Sequence, residues 1–258
     1  MVTSGKGGVG KTMVTANLGV ALAELGNLVA MVDMDVGLRN LDIIMGLENR
    51  IVYDLNDVIE GQCRLQQALI MDKRFDNLYL LPAAQTRDKS SITSRQMRQL
   101  CGQLKERFDF VLLDCPAGIE HGFTVSVAGA DEAIVVTTPE LNAVRDADRV
   151  IGLLEAAGHR DPYLIINRVR PRLVRRNQSL KVQEVVDILA VGLLGVIPEN
   201  ERVVASMNLG EPVVLYGGEV AQAFRDIARR MLGEEVPMLP IEEGRGVLVA
   251  LRRMMGIG

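Results

Sequence analysis

A mostly parallel sheet with helices on both faces, an α/β fold, is what the sequence predicts, and two observations predict it. Apolar runs rich in Val, Ile and Leu alternate along the whole chain with stretches that carry apolar residues at helical spacing. Several polar residues suited to ligands stand directly after those runs, at the carboxyl ends of the strands, where such sheets bind. In chain order, a helix is expected over 12–25, then strands in "NLVAMVD" (27–33) and "NLYLLPA" (77–83). Helix 93–107 leads into "FDFVLLD" (108–114), and "EAIVVTT" (132–138) precedes helix 141–157. "PYLIIN" (162–167) precedes helix 179–190, and "GLLGVIP" (192–198) precedes helix 219–233. These near-continuous apolar runs suit strands buried on both faces.

At 258 residues the chain can bury a substantial core. Aromatic residues make up 3% of it and Trp is absent, which argues against a surface for stacking bases or sugars. A net charge of −4 gives no global attraction to nucleic acid or anionic lipid, so any such attraction needs a local patch. Cys63, Cys101 and Cys115 lie far apart without C-x-x-C spacing and are expected to be reduced thiols. His121 and His159 are isolated, a poor pattern for a metal site. The longest nearly apolar stretch, 185–197, is too short to span a bilayer and carries Asp187. Together these lead us to expect a soluble, cytoplasmic protein, bound at most to a membrane surface. Composition shifts near 237–244, after which the chain turns basic and apolar. Residues 1–240 are expected to form one domain and 241–258 a tail.

The chemistry concentrates in "GKGGVGKT" (5–12). Gly5, Gly10, Lys11 and Thr12 satisfy a phosphate-binding loop, whose small residues let successive N–H groups converge on phosphate oxygens. Gly7, Gly8 and Gly10 supply close approach, Lys11 neutralises the β- and γ-phosphates, and the Thr12 hydroxyl ligates Mg²⁺. Lys6 exceeds what that loop needs. It is either an idle solvated charge or, from the mouth of the site, a reach to phosphates held by a second subunit. Asp33, Asp35, Asp114 and Asn167 follow strand runs. A strand-end Asp is often a helix N-cap, but three beside a phosphate loop favour a metal and water site.

Lys6 to Thr12 fit K-G-G-x-G-K-[ST] at every fixed position, and the chain resembles the deviant Walker-A (ParA/MinD) P-loop NTPase family. "DVGLRNLDIIMGLENRIVYDL" (35–55), "LPAAQTRDK" (81–89), "DCPAGIE" (114–120) and "TTPELNAVRDADR" (137–149) resemble its septum-site-determining MinD branch over nearly the whole chain. The resemblance implies an ATP- and Mg²⁺-dependent ATPase that dimerises, with Lys6 crossing to the partner's phosphates. It implies that Lys6, Gly7, Gly8, Val9, Gly10, Lys11, Thr12, Met13 and Asn167 bind the nucleotide, Asn167 through adenine. It makes Asp114 a Walker-B carboxylate and Asp33 an orienter of the metal shell. Asp35 positions the attacking water beside Lys6 and Lys11, and Gly118 is a hinge of the second switch. It also implies membrane docking through the tail, recruitment of a MinC-like division inhibitor, and a MinE-like or other topological regulator.

Two departures stand out. The family has several further residues before "VTSGKGG", so a first strand starting at Met1 is expected to have almost nothing to pair, with a misassigned or shortened start. Met13 replaces the family's usual Thr, which removes one hydroxyl near the α-phosphate; weaker nucleotide affinity is the most this implies. The segment "RVRPRLVRR" (168–176) suits either a solvated loop beside the adenine pocket or a DNA patch, as in a partition ATPase. Lacking interleaved aromatics, it favours the loop, and DNA is not expected as a partner. An iron–sulfur reductase would need paired cysteines that this chain does not offer. A nucleotide-gated scaffold with negligible turnover differs only in rate.

In the tail, at 100° per residue, Val247, Leu248, Ala250, Leu251, Met254 and Met255 share one face. Arg245, Arg252 and Arg253 share the other, with Val249 the misfit. That amphipathic pattern suits a helix lying in the headgroup layer of an anionic membrane, or a terminal helix docked on its own domain.

Overall fold

The computed structural model describes residues 1–37, 39–85 and 92–238. The boundary expected at residue 240 and the tail residues Arg245, Val247, Leu248, Leu251, Arg252, Arg253, Met254 and Met255 lie outside the described residues.

The first half of the chain runs β1 (Val2–Thr3), α1 (Lys11–Glu24), β2 (Val29–Asp33), α2 (Leu41–Met45), α3 (Leu55–Ile59), α4 (Leu65–Ala68), β3 (Ile70–Met71), β4 (Leu78–Leu81) and α5 (Ser94–Lys105). The second half adds β5 (Phe110–Asp114), α6 (His121–Gly129), β6 (Ile134–Thr137), α7 (Leu141–Ala156), β7 (Tyr163–Val169), α8 (Pro171–Arg175), α9 (Val182–Leu189), β8 (Gly192–Pro198), α10 (Glu201–Asn208) and α11 (Gly218–Met231). The described strands form one sheet in the order β3-β4-β2-β5-β1-β6-β7-β8, parallel except for the β3–β4 pair. The expected fold class is the observed one.

The unbroken apolar runs have their reason in burial on both faces. Val29 and Met31 pack into the core on one side of the sheet with Leu18, Leu22 and Phe224. Ala30 and Val32 pack on the other with Met97, Val150 and Leu154. Fully burying such a side chain contributes about 1.5–3 kcal/mol, which holds the strands in register against backbone entropy. Helix α1 is buried from Met13 to Ala23 because it lies between the sheet and α11.

Three expectations need correction. Val2 and Thr3 are not left with almost nothing to pair: Val2 registers with Asp114 on one side and Ile134 on the other, and Thr3 with Val135. Helix 179–190 begins only at Val182, because Ser179 Oγ and the Leu180 amide bond to the Pro139 carbonyl and hold that segment outside the helix. Strand 162–167 continues to Val169, across a break in its pairing with β8 between Ile166 and Val169. The helices expected over 12–25, 93–107, 141–157 and 219–233 match α1, α5, α7 and α11 within two residues at each end.

Candidate functional site

The register brings the chemistry together. Asp33 ends β2, Asp114 ends β5, and the two are paired neighbours. One strand further, the chain leaves β1 at Thr3, turns through residues 4–10 and enters α1 at Lys11. The phosphate loop therefore stands at the carboxyl edge of the sheet beside both aspartates. Gly10 caps α1 with φ 96°, a left-handed conformation, and a Cβ there would stand 2.5 Å from the Asn167 amide nitrogen. The first N–H groups of α1 lack intrahelical acceptors, and with the helix dipole they form an anion site.

Around the loop lies a cavity of about 690 Å³ lined by Gly7, Gly8, Gly10, Lys11, Thr12, Met13, Asp35 and Asn167. Its far walls are apolar: Ile43 and Ile44 of α2 face Val203, Val204 and Met207 of α10. The volume and the mix of one phosphate loop with two apolar walls suit a nucleotide. A second cavity of about 520 Å³ lies among Val2, Phe110 and Ile134, and it contains none of the strand-end aspartates.

The electrostatics of the aspartate pair suit a cation. Both carboxylates are 1% exposed. Burial, then the neighbouring Asp114 charge, pushes the Asp33 carboxyl up to about 8, against the amides of Asp35 and Leu41 that bond to it. Burial pushes Asp114 up to about 6, opposed by hydrogen bonds from Thr12 and Thr15 and by the Lys11 ammonium. Two carboxyls held out of water at this edge call for a hard divalent cation, which favours their ionised forms. Thr12 lies close enough to help hold the Asp114 carboxyl down, so the hydroxyl and carboxylate named for Mg²⁺ are neighbours. The residues fit the ion. Asp33 also accepts from the Asp35 amide at 2.9 Å and the Leu41 amide at 3.3 Å, tying down both ends of the loop that carries Asp35.

Asn167 is 1% exposed and donates through Nδ2 to the Val9 carbonyl at 2.8 Å. Its Oδ1 accepts the Arg168 amide at 2.9 Å. The break in β7 pairing, with Arg168 at φ 56°, sits at this side chain, where an irregularity re-aims it toward the phosphate loop. Asn167 thus braces the loop as well as lining the cavity. Gly118 has φ 91°, and its amide bonds to the Ser4 carbonyl at 3.4 Å, linking the segment after β5 to the root of the phosphate loop. Lys6 is exposed and does not line the cavity.

The arginine segment divides. Arg168 lines the cavity, Arg170 pairs with Glu199 after β8, and Arg172, Arg175 and Arg176 are exposed. The three cysteines are free thiols, and burial pushes Cys101 and Cys115 up to about 11. His121 and His159 contact the carbonyls of Ile92 and Val127. Among the described residues no cluster of His, Cys, Asp and Glu has the makings of a metal site of its own, and no helix is long and apolar enough to cross a membrane.

Residues 1–213 match the CobQ/CobB/MinD/ParA nucleotide-binding domain. The septum site-determining protein MinD of Bacillus subtilis is 51% identical over 261 residues, covering 100% of this chain and 97% of that relative. This chain belongs to the MinD branch of that family. Among solved structures similar to this MinD-branch chain is the MinC:MinD cell division protein complex of Aquifex aeolicus. It superposes with a TM-score of 0.87 at 47% identity, over 92% of this chain and 97% of that one. MinD of Pyrococcus horikoshii, complexed with Mg-ADP, superposes with a TM-score of 0.81 at 34% identity, over 91% and 98%.

Sequence reasoning named the loop and the aspartates but missed the cavity's other walls. Thr15, whose Oγ1 donates to Asp114 Oδ1 at 3.1 Å, was missed too. It lies one turn of α1 beyond Lys11 and Thr12, a spacing that puts it on their face. Pro198 at the end of β8, with Glu199 and Asn200 after it, lines the cavity where the strand-end rule could have found it.

Proposed function

We propose that this protein is an ATP-hydrolysing, membrane-cycling ATPase that dimerises with ATP and helps position the division septum. The observation that carries the reading is the phosphate loop set beside the paired, buried Asp33 and Asp114. The Mg-ADP held by the P. horikoshii relative supports nucleotide and Mg²⁺ as ligands. The A. aeolicus complex supports a MinC-like division inhibitor as partner. A MinE-like or other topological regulator would then time release, with the protein cytoplasmic between visits to the inner face of the membrane.

ATP with Mg²⁺ supplies a reactive γ-phosphoryl group and the cation that offsets its charge. The chain's own work is positioning. The loop amides and the α1 N-terminus bind phosphate oxygens, while Lys11, 7% exposed, meets their charge out of water. Thr12, Asp114 and Asp33 hold the cation. Asp35, fixed through Asp33, orients the attacking water. Asn167 holds the loop and offers its remaining amide hydrogen toward adenine. The exposed Lys6 crosses to the nucleotide of a second subunit, which makes hydrolysis depend on dimerisation.

That division of labour separates the two lysines. Lys6→Ala is expected to keep ADP affinity within a few-fold while losing ATP-driven dimerisation and turnover. Sizing chromatography with ATP and Mg²⁺ decides it: a Lys6→Ala protein that still dimerises and turns over at the parent rate would sink the trans-acting role.

A further inference from the structure

The β3–β4 hairpin ends in a turn that reaches the cavity's two apolar walls from outside. Arg74, in that turn, donates through Nε and Nη2 to the carboxylate of Asp72, which is buried at 2% exposure, at 2.9 and 2.6 Å. The same guanidinium donates to the Met45 carbonyl at 2.9 Å and to the Gly210 carbonyl at 3.4 Å. Met45 is the last residue of α2, and Gly210 lies two residues past the end of α10. One cation therefore sits at the carboxyl ends of two helices, where dipoles and unpaired carbonyls favour it. The helices also touch there. Gly46 and Gly210 have φ 64° and 67°, and a Cβ on Gly210 would stand 2.8 Å from the Gly46 Cα. At its other end α2 is held by the Leu41 amide on Asp33.

We propose that Arg74 is a positioning residue that fixes the spacing of α2 and α10, and so sets the width of the slot that takes the nucleotide base. The inference rests on the nucleotide reading above. Ile43 and Ile44 on one wall and Val203, Val204 and Met207 on the other must close on a flat ring from both sides. A preformed spacing spares the ligand the cost of ordering those walls. None of the Arg74 hydrogen bonds reaches the phosphate loop, which is braced instead by Asn167. Arg74 therefore acts on the base and leaves the phosphates alone.

Arg74→Lys keeps a cation for Asp72 but replaces the planar fork, so one ammonium has to serve a carboxylate and two carbonyls. Calorimetric titration with Mg-ADP and with Mg-tripolyphosphate, which has no base, separates base binding from phosphate binding. In Arg74→Lys, ADP affinity should fall about tenfold while tripolyphosphate affinity changes by less than about twofold. Gly210→Ala, which forces the two helix ends apart without touching any charge, should give the same split, and it decides the matter alone if Arg74→Lys fails to fold. Unchanged ADP affinity, or equal loss of both ligands, overturns the brace and leaves the nucleotide reading standing. Wild-type protein that binds no Mg-ADP overturns both.

Discussion

Lys11→Ala is expected to weaken nucleotide binding by about thirtyfold to several thousandfold. Lys11 is buried at the first position of α1, and its ammonium lies close enough to bear on the Asp114 carboxyl. A bound polyphosphate brings several negative charges into that water-poor corner. The loop amides satisfy phosphate oxygens as hydrogen-bond donors, but no other side chain named from the phosphate loop offers a buried full positive charge. Removing one partner of a buried, hydrogen-bonded charge pair costs about 2–5 kcal/mol, roughly one and a half to four decades in Kd. Titration with a fluorescent ADP analogue measures it. Binding within threefold of wild type would mean that the loop amides and the cation carry the phosphates without Lys11.

Asp35→Ala should have an equally large effect on a different quantity. Asp35 lines the cavity in the loop after β2, and its backbone amide is held by Asp33. In the proposed mechanism its carboxylate orients water and holds neither the phosphates nor the cation, so ATP and Mg²⁺ should still bind with affinities near wild type. Hydrolysis should fall by about 10²–10⁴, the range for losing a group that orients or deprotonates the nucleophile. The variant should then accumulate as an ATP-bound dimer. Phosphate release and sizing chromatography on one sample make the test. Loss of nucleotide binding would instead assign Asp35 to the metal or to the fold of the loop after β2.

The strands that carry the site were legible because burial on both faces leaves unmistakable apolar runs. Asp33, Asp114 and Asn167 could be read as site residues from their places at the ends of those runs. Their pairing could not, because Asp33 beside Asp114 depends on a strand order that no local pattern states. Helix α2 is five residues long and β3 two, too short to show a repeat. Helix α10 is eight residues long and buries only Ser206, while its half-buried Val203 and Met207 pack against the core and line the cavity at once, so no fully buried stripe marks it. Helix α6, nine residues from His121 to Gly129, carries apolar and small residues on all sides and so reads as no period at all. The pairing of β1 is tertiary in the same sense: two residues make a strand only because β5 and β6 stand on either side. Arg74 illustrates the limit: nothing around it in the sequence marks a residue that bonds to the ends of two distant helices.

In the proposed cycle, nucleotide state governs attachment to the membrane through the tail. From Gly244 onward the sequence has three arginines and no acid, and each basic residue near an anionic surface contributes about 1 kcal/mol. The apolar face adds a few kcal/mol, and ordering a short helix takes part of that back. One tail is then a weak, reversible anchor, while two on an ATP dimer raise apparent affinity by about a hundredfold or more. Co-sedimentation with anionic vesicles reads this out on the full chain with ATP, ADP or no nucleotide, on a chain cut at residue 240, and on Leu251→Glu. The full chain should sediment with ATP and stay in solution with ADP, and the other two should stay in solution with ATP while still dimerising. Equal sedimentation with ATP and ADP, or by wild type and Leu251→Glu, would refute nucleotide-gated anchoring by the tail.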